Sequence, residues 1–174
     1  MRTPVSRRVG VGIAVAALGL LAAACGGGDD DTTRTVKATD YAFKDLPKSV
    51  KAGTVLSLEN TSATELHELV AFKVPDTEKR PVSELLQLPE AELDAIFPGA
   101  PATVLLRPPG GEQINAVGDG TLTEKGRYAV ICTIPTGADP AAYLAASQTS
   151  DGPPDVAGGP PHFTKGMFGE LTVK

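Results

Sequence analysis

Seven or eight short strand-like segments at regular spacing predict an all-β chain folded as a Greek-key β-sandwich with a short helical insertion. Three observations carry this reading. Apolar and polar residues alternate in short runs along most of the chain, as half-buried strands require. The 174 residues include 19 glycines and 15 prolines, which punctuate those runs and leave no room for long helices. Aromatics make up only 5% and tryptophan is absent, so the core is aliphatic, while 41% hydrophobic and 21% charged residues is an ordinary globular balance.

The elements follow in order. Residues 34–43 (RTVKATDYAF) alternate as a first strand. Segments 49–51 and 54–59 (TVLSLE) read as two more strands around a turn at Ala52-Gly53. His67–Val74 (HELVAFKV) is a strong strand. Val82–Phe97 places Leu85, Leu86, Leu93 and Ile96 at helical spacing, and Pro89 breaks the run, so two short helices serving only to pack are expected. Strands follow at 103–107, 112–117 and 126–134, the last (GRYAVICTI) rich in strand formers. Residues 140–147 suit a helical turn or two, 148–161 are irregular, and 167–174 form the closing strand.

The first 24 residues read as an export address. Arg2, Arg7 and Arg8 precede an apolar stretch, Val9–Ala24, that is too short and too weakly flanked for a stable spanning helix. The stretch ends in Leu21-Ala22-Ala23-Ala24-Cys25. This resembles the lipobox of bacterial lipoproteins, in which the cysteine is lipidated and becomes the new N-terminus; the leucine here stands four residues before Cys25 instead of three. The paired Arg7-Arg8 also loosely fits a twin-arginine signal. The expected organisation is therefore a signal at 1–24, a lipidated Cys25 with a flexible Gly/Asp tether over 25–33, and one domain over 34–174. The net charge is −5. Loss of the three leader arginines leaves 13 basic against 21 acidic residues, or −8. That balance argues against nucleic acid and favours a basic partner.

The rare residues carry the chemistry. The chain has two cysteines, two histidines and two methionines, one of them the initiator, which excludes a disulfide scaffold and any three-histidine site. Beyond the leader the soft or borderline ligands are His67, Cys132, His162 and Met167, all at expected strand ends or adjacent loops. Singly, each has an ordinary explanation: Cys132 as a small buried hydrophobe, His67 and His162 as core or loop histidines, Met167 as core filler. Together they are the inventory of a type 1 copper centre, two imidazoles and a thiolate with a weak axial thioether. Such a set suits both oxidation states of copper tolerably, so little has to move when an electron arrives.

In these residues the chain resembles the cupredoxin family, particularly plastocyanin-like and auracyanin-like domains. The early match runs through Asp40-Tyr41-Ala42-Phe43, Val50-Lys51-Ala52-Gly53, Leu58-Glu59-Asn60-Thr61-Ser62 and His67. The late match is Gly126-Arg127-Tyr128 leading to Cys132, then His162-Phe163-Thr164-Lys165-Gly166-Met167. The resemblance implies a cupredoxin-like sandwich with His67, Cys132 and His162 as equatorial ligands and Met167 axial. It also implies a solvent-edge role for His162 as the electron port, with Pro161 and Phe163 forming an apolar docking rim. Two departures stand out. Residues 133–161 form an unusually long insertion between Cys132 and His162, and Glu68 stands where plastocyanins often carry asparagine. Glu65 and Glu68 are expected to be solvated, with a hydrogen bond between Glu68 and Thr133 as the alternative for Glu68.

The expected function is a membrane-anchored, extracytoplasmic carrier of single electrons between redox partner proteins, and not an enzyme. The alternatives are copper storage or delivery, which usually exposes several methionines or histidines, and a metal-free binding module on the same fold. Zinc in the same residues is disfavoured because methionine is a poor zinc ligand.

Overall fold

A computed structural model describes residues 32–150 and 152–174. The expected signal, Cys25 and nearly all of the expected tether lie outside the described residues; Thr33, at the tether's end, already belongs to the first strand. The domain is a two-sheet β-sandwich, all-β apart from short helices, as the strand spacing predicts.

Strand β1 (Thr33–Thr39) turns Val36 and Ala38 into the core and its charged neighbours out. The single strand expected across 34–43 is two. The chain reverses at Asp40-Tyr41, with Tyr41 in the left-handed region at φ 60°, and β2 (Ala42–Lys44) folds back antiparallel on β1. Next come β3 (Ser49–Val50) and β4 (Thr54–Asn60), in which Thr54, Leu56 and Leu58 are buried at every second position. Strand β5 (His67–Lys73) is buried from His67 to Ala71, because both of its faces are covered.

The helical insertion breaks where Pro89 predicts, into α1 (Val82–Leu85) and α2 (Glu90–Ile96). Strand β6 (Thr103–Arg107) leads to the exposed edge strand β7 (Ile114–Val117) and the two-residue β8 (Thr121–Leu122). Strand β9 (Gly126–Ile131) is shorter than the expected 126–134, so Cys132–Ile134 run beyond it. Helix α3 (Pro140–Ser147) is capped by Asp139, whose carboxylate accepts from Ala142 N at 2.7 Å. A single 3-10 turn (His162–Lys165) precedes β10 (Phe168–Val173). The ten strands exceed the expected seven or eight because the first run splits in two and β8 forms beside β4.

One sheet has the order β2-β1-β4-β8 and the other β3-β10-β9-β5-β6-β7. The pairs β1/β4 and β3/β10 are parallel, and the rest are antiparallel. Between the sheets lies an aliphatic core that includes Val36, Leu56, Leu58, Leu69, Leu105 and Leu171. A second, smaller cluster of Val74, Val82, Leu85 and Ala129 packs α1 and α2 onto the outer face of the larger sheet. The packing role expected of the 82–97 segment is thereby found, with Leu85 fully buried and Leu86, Leu93 and Ile96 partly so. Among the described residues, no helix is long and apolar enough to cross a membrane.

At one crossing the backbones of the two halves come very close. Gly120 O accepts from Leu56 N at 2.8 Å, with Gly120 at φ 93°. A Cβ there would stand 2.1 Å from Leu56 O, so the contact requires glycine.

Candidate metal centre

Strand register places the first two candidate residues. In the antiparallel pair β5/β9, Val70 faces Ile131. Continued by two residues, that register sets Leu69 beside Cys132 and Glu68 beside Thr133. Side chains alternate along a strand, so His67, Leu69 and Cys132 turn inward while Glu68 and Thr133 turn outward.

The other two candidates arrive on the turn 162–167. His162 N donates to Ile134 O and Phe163 N to Cys132 O, both at 2.9 Å. Met167 N donates to His162 O, and Cys132 N to Met167 O, both at 3.2 Å. Gly166 closes the turn at φ 103°, a conformation that disfavours side chains. Segments 132–134 and 162–167 are therefore one hydrogen-bonded unit, and the long insertion leaves and rejoins it at an antiparallel bridge between Pro135 and Pro161.

This framework brings His67, Cys132 and His162 together, with one potential ligand atom from each lying within 4.8 Å of the others. Cys132 Sγ is 3.4 Å from His162 Nδ1, and the two imidazole rings lie 5.0 Å apart, tilted by 58°. Met167 is packed in the same core as Cys132. All four side chains are 0% exposed. Cys25, expected to carry lipid, is outside the described residues.

The electrostatics suit a cation. Both nitrogens of His67, and Nε2 of His162, are buried without a hydrogen-bond partner. Buried polar atoms are seldom left so, because each costs about 1–3 kcal/mol. Burial, reinforced by the neighbouring His162, lowers His67 to about 4, and burial likewise lowers His162. Both rings are thus neutral near pH 7, with lone pairs to give. Burial and the nearby Glu68 push the Cys132 thiol far up, so the thiolate requires a positive ion beside it. The residues present fit a soft or borderline metal.

Three expectations are corrected here. Glu68 is buried, not solvated, and the alternative bond to Thr133 is the one formed: its Oε1 accepts from Thr133 N at 2.8 Å and from the Thr133 hydroxyl, and Oε2 lies 3.5 Å from the Tyr143 hydroxyl. The register, continued from Val70 and Ile131, brings the side chains of residues 68 and 133 within reach of each other. Glu65 is not free in solvent either. It accepts from Tyr41 Oη at 3.2 Å and from Gly137 N at 3.1 Å, and lies 3.3 Å from His162 Nε2. Finally, His162 has no solvent edge, because the Tyr41 ring sits edge-on against it at 5.0 Å. Pro161 and Phe163 do reach the surface in part, on an apolar groove of about 500 Å³ shared with Leu86, Leu88 and Leu93.

Tyr41 and Tyr143 acquire roles around the centre that nothing in their local sequence pattern signals. Their contacts come from segments far apart in the chain.

No protein-family model matches this chain, nor does any curated protein. Several solved structures resemble it. The dithionite-reduced auracyanin of the photosynthetic bacterium Roseiflexus castenholzii is 21% identical, with a TM-score of 0.46 over 82% of this chain and 97% of that one. Auracyanin A of Chloroflexus aurantiacus, described as a "blue" copper protein, is 19% identical, with a TM-score of 0.44 over 82% and 98%. Auracyanin B is 21% identical, with a TM-score of 0.35 over 82% and 88%.

Proposed function

We propose that His67, Cys132, His162 and Met167 would hold one copper ion of the type 1 class, and that this chain carries single electrons between extracytoplasmic redox partners. The observation behind this reading is that His67, both of whose nitrogens lack a partner, is gathered with the Cys132 thiol and Nδ1 of His162 in a fully buried pocket. A thiol, two imidazoles and a thioether match copper better than zinc, because the thioether is a poor zinc ligand.

When bound, the ion supplies one-electron chemistry by alternating between Cu(I) and Cu(II). The chain's own residues supply a rigid holder. The backbone bonds among 132, 134, 162 and 167 fix three of the four ligands with or without metal. The fourth, His67, is fixed by the β5/β6 pairing, opposite Arg107. A preformed cage limits rearrangement between oxidation states. The Glu68 N–H, 3.4 Å from Cys132 Sγ, is placed to donate to the thiolate. Full burial keeps water and substrates from the ligands, which favours a carrier over an enzyme.

The reading includes anchorage by lipid on Cys25, on the strength of the Leu21–Cys25 pattern, and a partner with a basic docking face, on the strength of the acidic balance. The test is addition of one equivalent of copper(II) to the purified metal-free protein. The expected result is an intense visible thiolate band with narrow copper hyperfine splitting in electron paramagnetic resonance, lost in Cys132→Ser. Reversible reduction with rapid self-exchange supports the carrier; colour without it points to storage. Absence of any thiolate band overturns the copper assignment.

A further inference from the structure

Glu65 belongs to the short loop between β4 and β5, two residues before His67. Its backbone is pinned at both ends of the peptide: its N–H donates to Ser62 Oγ at 3.0 Å, and its carbonyl accepts from Asn60 Nδ2 at 2.9 Å. Its carboxylate joins three otherwise separate parts of the chain. Oε1 accepts from Tyr41 Oη at the β1–β2 reversal, and Oε2 accepts from Gly137 N in the long insertion. Oε2 also faces His162 Nε2 at 3.3 Å, while Nδ1 on the other side of the same ring faces Cys132 Sγ at 3.4 Å. The Glu65 side chain is only 14% exposed and His162 is fully buried, so water does not compete strongly for that nitrogen.

A ligating imidazole usually donates its second N–H to a carboxylate, carbonyl or water, and that partner fixes the ring's tautomer and orientation. The ring here has one nitrogen toward a thiol and the other toward a carboxylate. We propose that Glu65 is a positioning residue of the centre: its carboxylate accepts the Nε2 proton of His162, leaves Nδ1 unprotonated toward the ion, and sets a fixed negative charge beside the oxidised site. The two atoms stand 3.3 Å apart, within hydrogen-bond distance, although Nε2 forms no aligned hydrogen bond in this structure. The Tyr41 and Gly137 donors hold the carboxylate for this purpose, so the insertion contributes to the centre although it supplies no ligand of its own.

This inference rests on the copper reading only for its redox consequence. Two measurements therefore test it separately. Nitrogen-15 NMR of the metal-free wild type reads the His162 tautomer directly. Protonation at Nε2 is expected, and protonation at Nδ1 overturns the proposal whether or not copper binds. In the copper-loaded protein, Glu65→Gln keeps the shape and removes the charge. The visible thiolate band should persist while the midpoint potential rises, favouring the reduced form by about tenfold. An unchanged potential overturns the electrostatic role. If the wild type takes up no copper, the proposed function falls and the tautomer measurement still decides the role of Glu65.

Discussion

The backbone N–H of Glu68 lies 3.4 Å from Cys132 Sγ. The carboxylate of the same residue holds Thr133, the next residue after that sulfur. One residue thus restrains the thiol and the strand that carries it. The arrangement follows from pairing β5 with β9, which sets residues 68 and 133 opposite each other on the face away from the sulfur.

Removing that carboxylate should be costly. Glu68→Ala leaves the half-buried Thr133 N without its acceptor, and a loss of about 1 kcal/mol is expected in urea unfolding of the metal-free protein. Glu68→Gln retains an acceptor and removes a charge that burial disfavours. It should therefore lose less than the alanine variant. Equal losses in the two variants would show that the Thr133 bond contributes nothing.

The copper-loaded protein should be closed to added anions. All four proposed ligands are 0% exposed, and the Tyr41 ring covers His162. Millimolar azide should leave the visible spectrum unchanged. A new charge-transfer band on addition would reveal an accessible coordination position.

Gly120→Ala tests the close crossing of β4 and the segment before β8. The new methyl would meet Leu56 O at 2.1 Å, in a backbone region at φ 93° that side chains rarely adopt. Destabilisation of about 1–3 kcal/mol or more is expected, read as a lower thermal midpoint. A midpoint equal to the wild type would show that the backbone shifts there at no cost.

A pH effect is expected at Glu78. Arg80 donates to it through its side chain and its backbone N–H, and these bonds hold the Glu78 carboxyl down to about 2, against 4.5 ordinarily. A carboxyl depressed in the folded state stabilises the fold above its unfolded value. That contribution is lost as pH falls from about 4.5 to about 2. Glu78→Gln should flatten the thermal midpoint against pH in that window. The effect should be small and salt-sensitive, because the Arg80 side of the pair is exposed to solvent. An unaltered slope would remove Glu78 from the acid response.

The sequence was most informative where chemistry is rare. Four scarce side chains at strand ends suggested a centre, and the structure brings His67, Cys132 and His162 into one buried cluster. The helix break at Pro89 and the bounds of β6 and α3 were equally legible, because proline and apolar periodicity act locally. What stayed hidden depends on distant partners. Glu65 looked like a surface acid until Tyr41 and Gly137, 24 and 72 residues away, were found on its oxygens. The reversal at Tyr41 was missed because the alternation on either side of it reads as one continuous strand. The burial of His162 was missed for the same reason, since the ring that covers it comes from that reversal.

The Pro135–Pro161 bridge has a consequence for how such a chain can vary. It ties a neck across the insertion just outside both ligand segments, and the bond from Thr136 N to Pro160 O draws it tighter. Beyond that knot Gly137 is still tied to Glu65, and Ala138 and Tyr143 are packed in the main core, so the neck sets the spacing of Cys132 and His162 while the start of the insertion stays fixed to the domain. The insertion is thus rooted in the domain at its base, and length can change in its outer part while the neck keeps the two ligand segments in step.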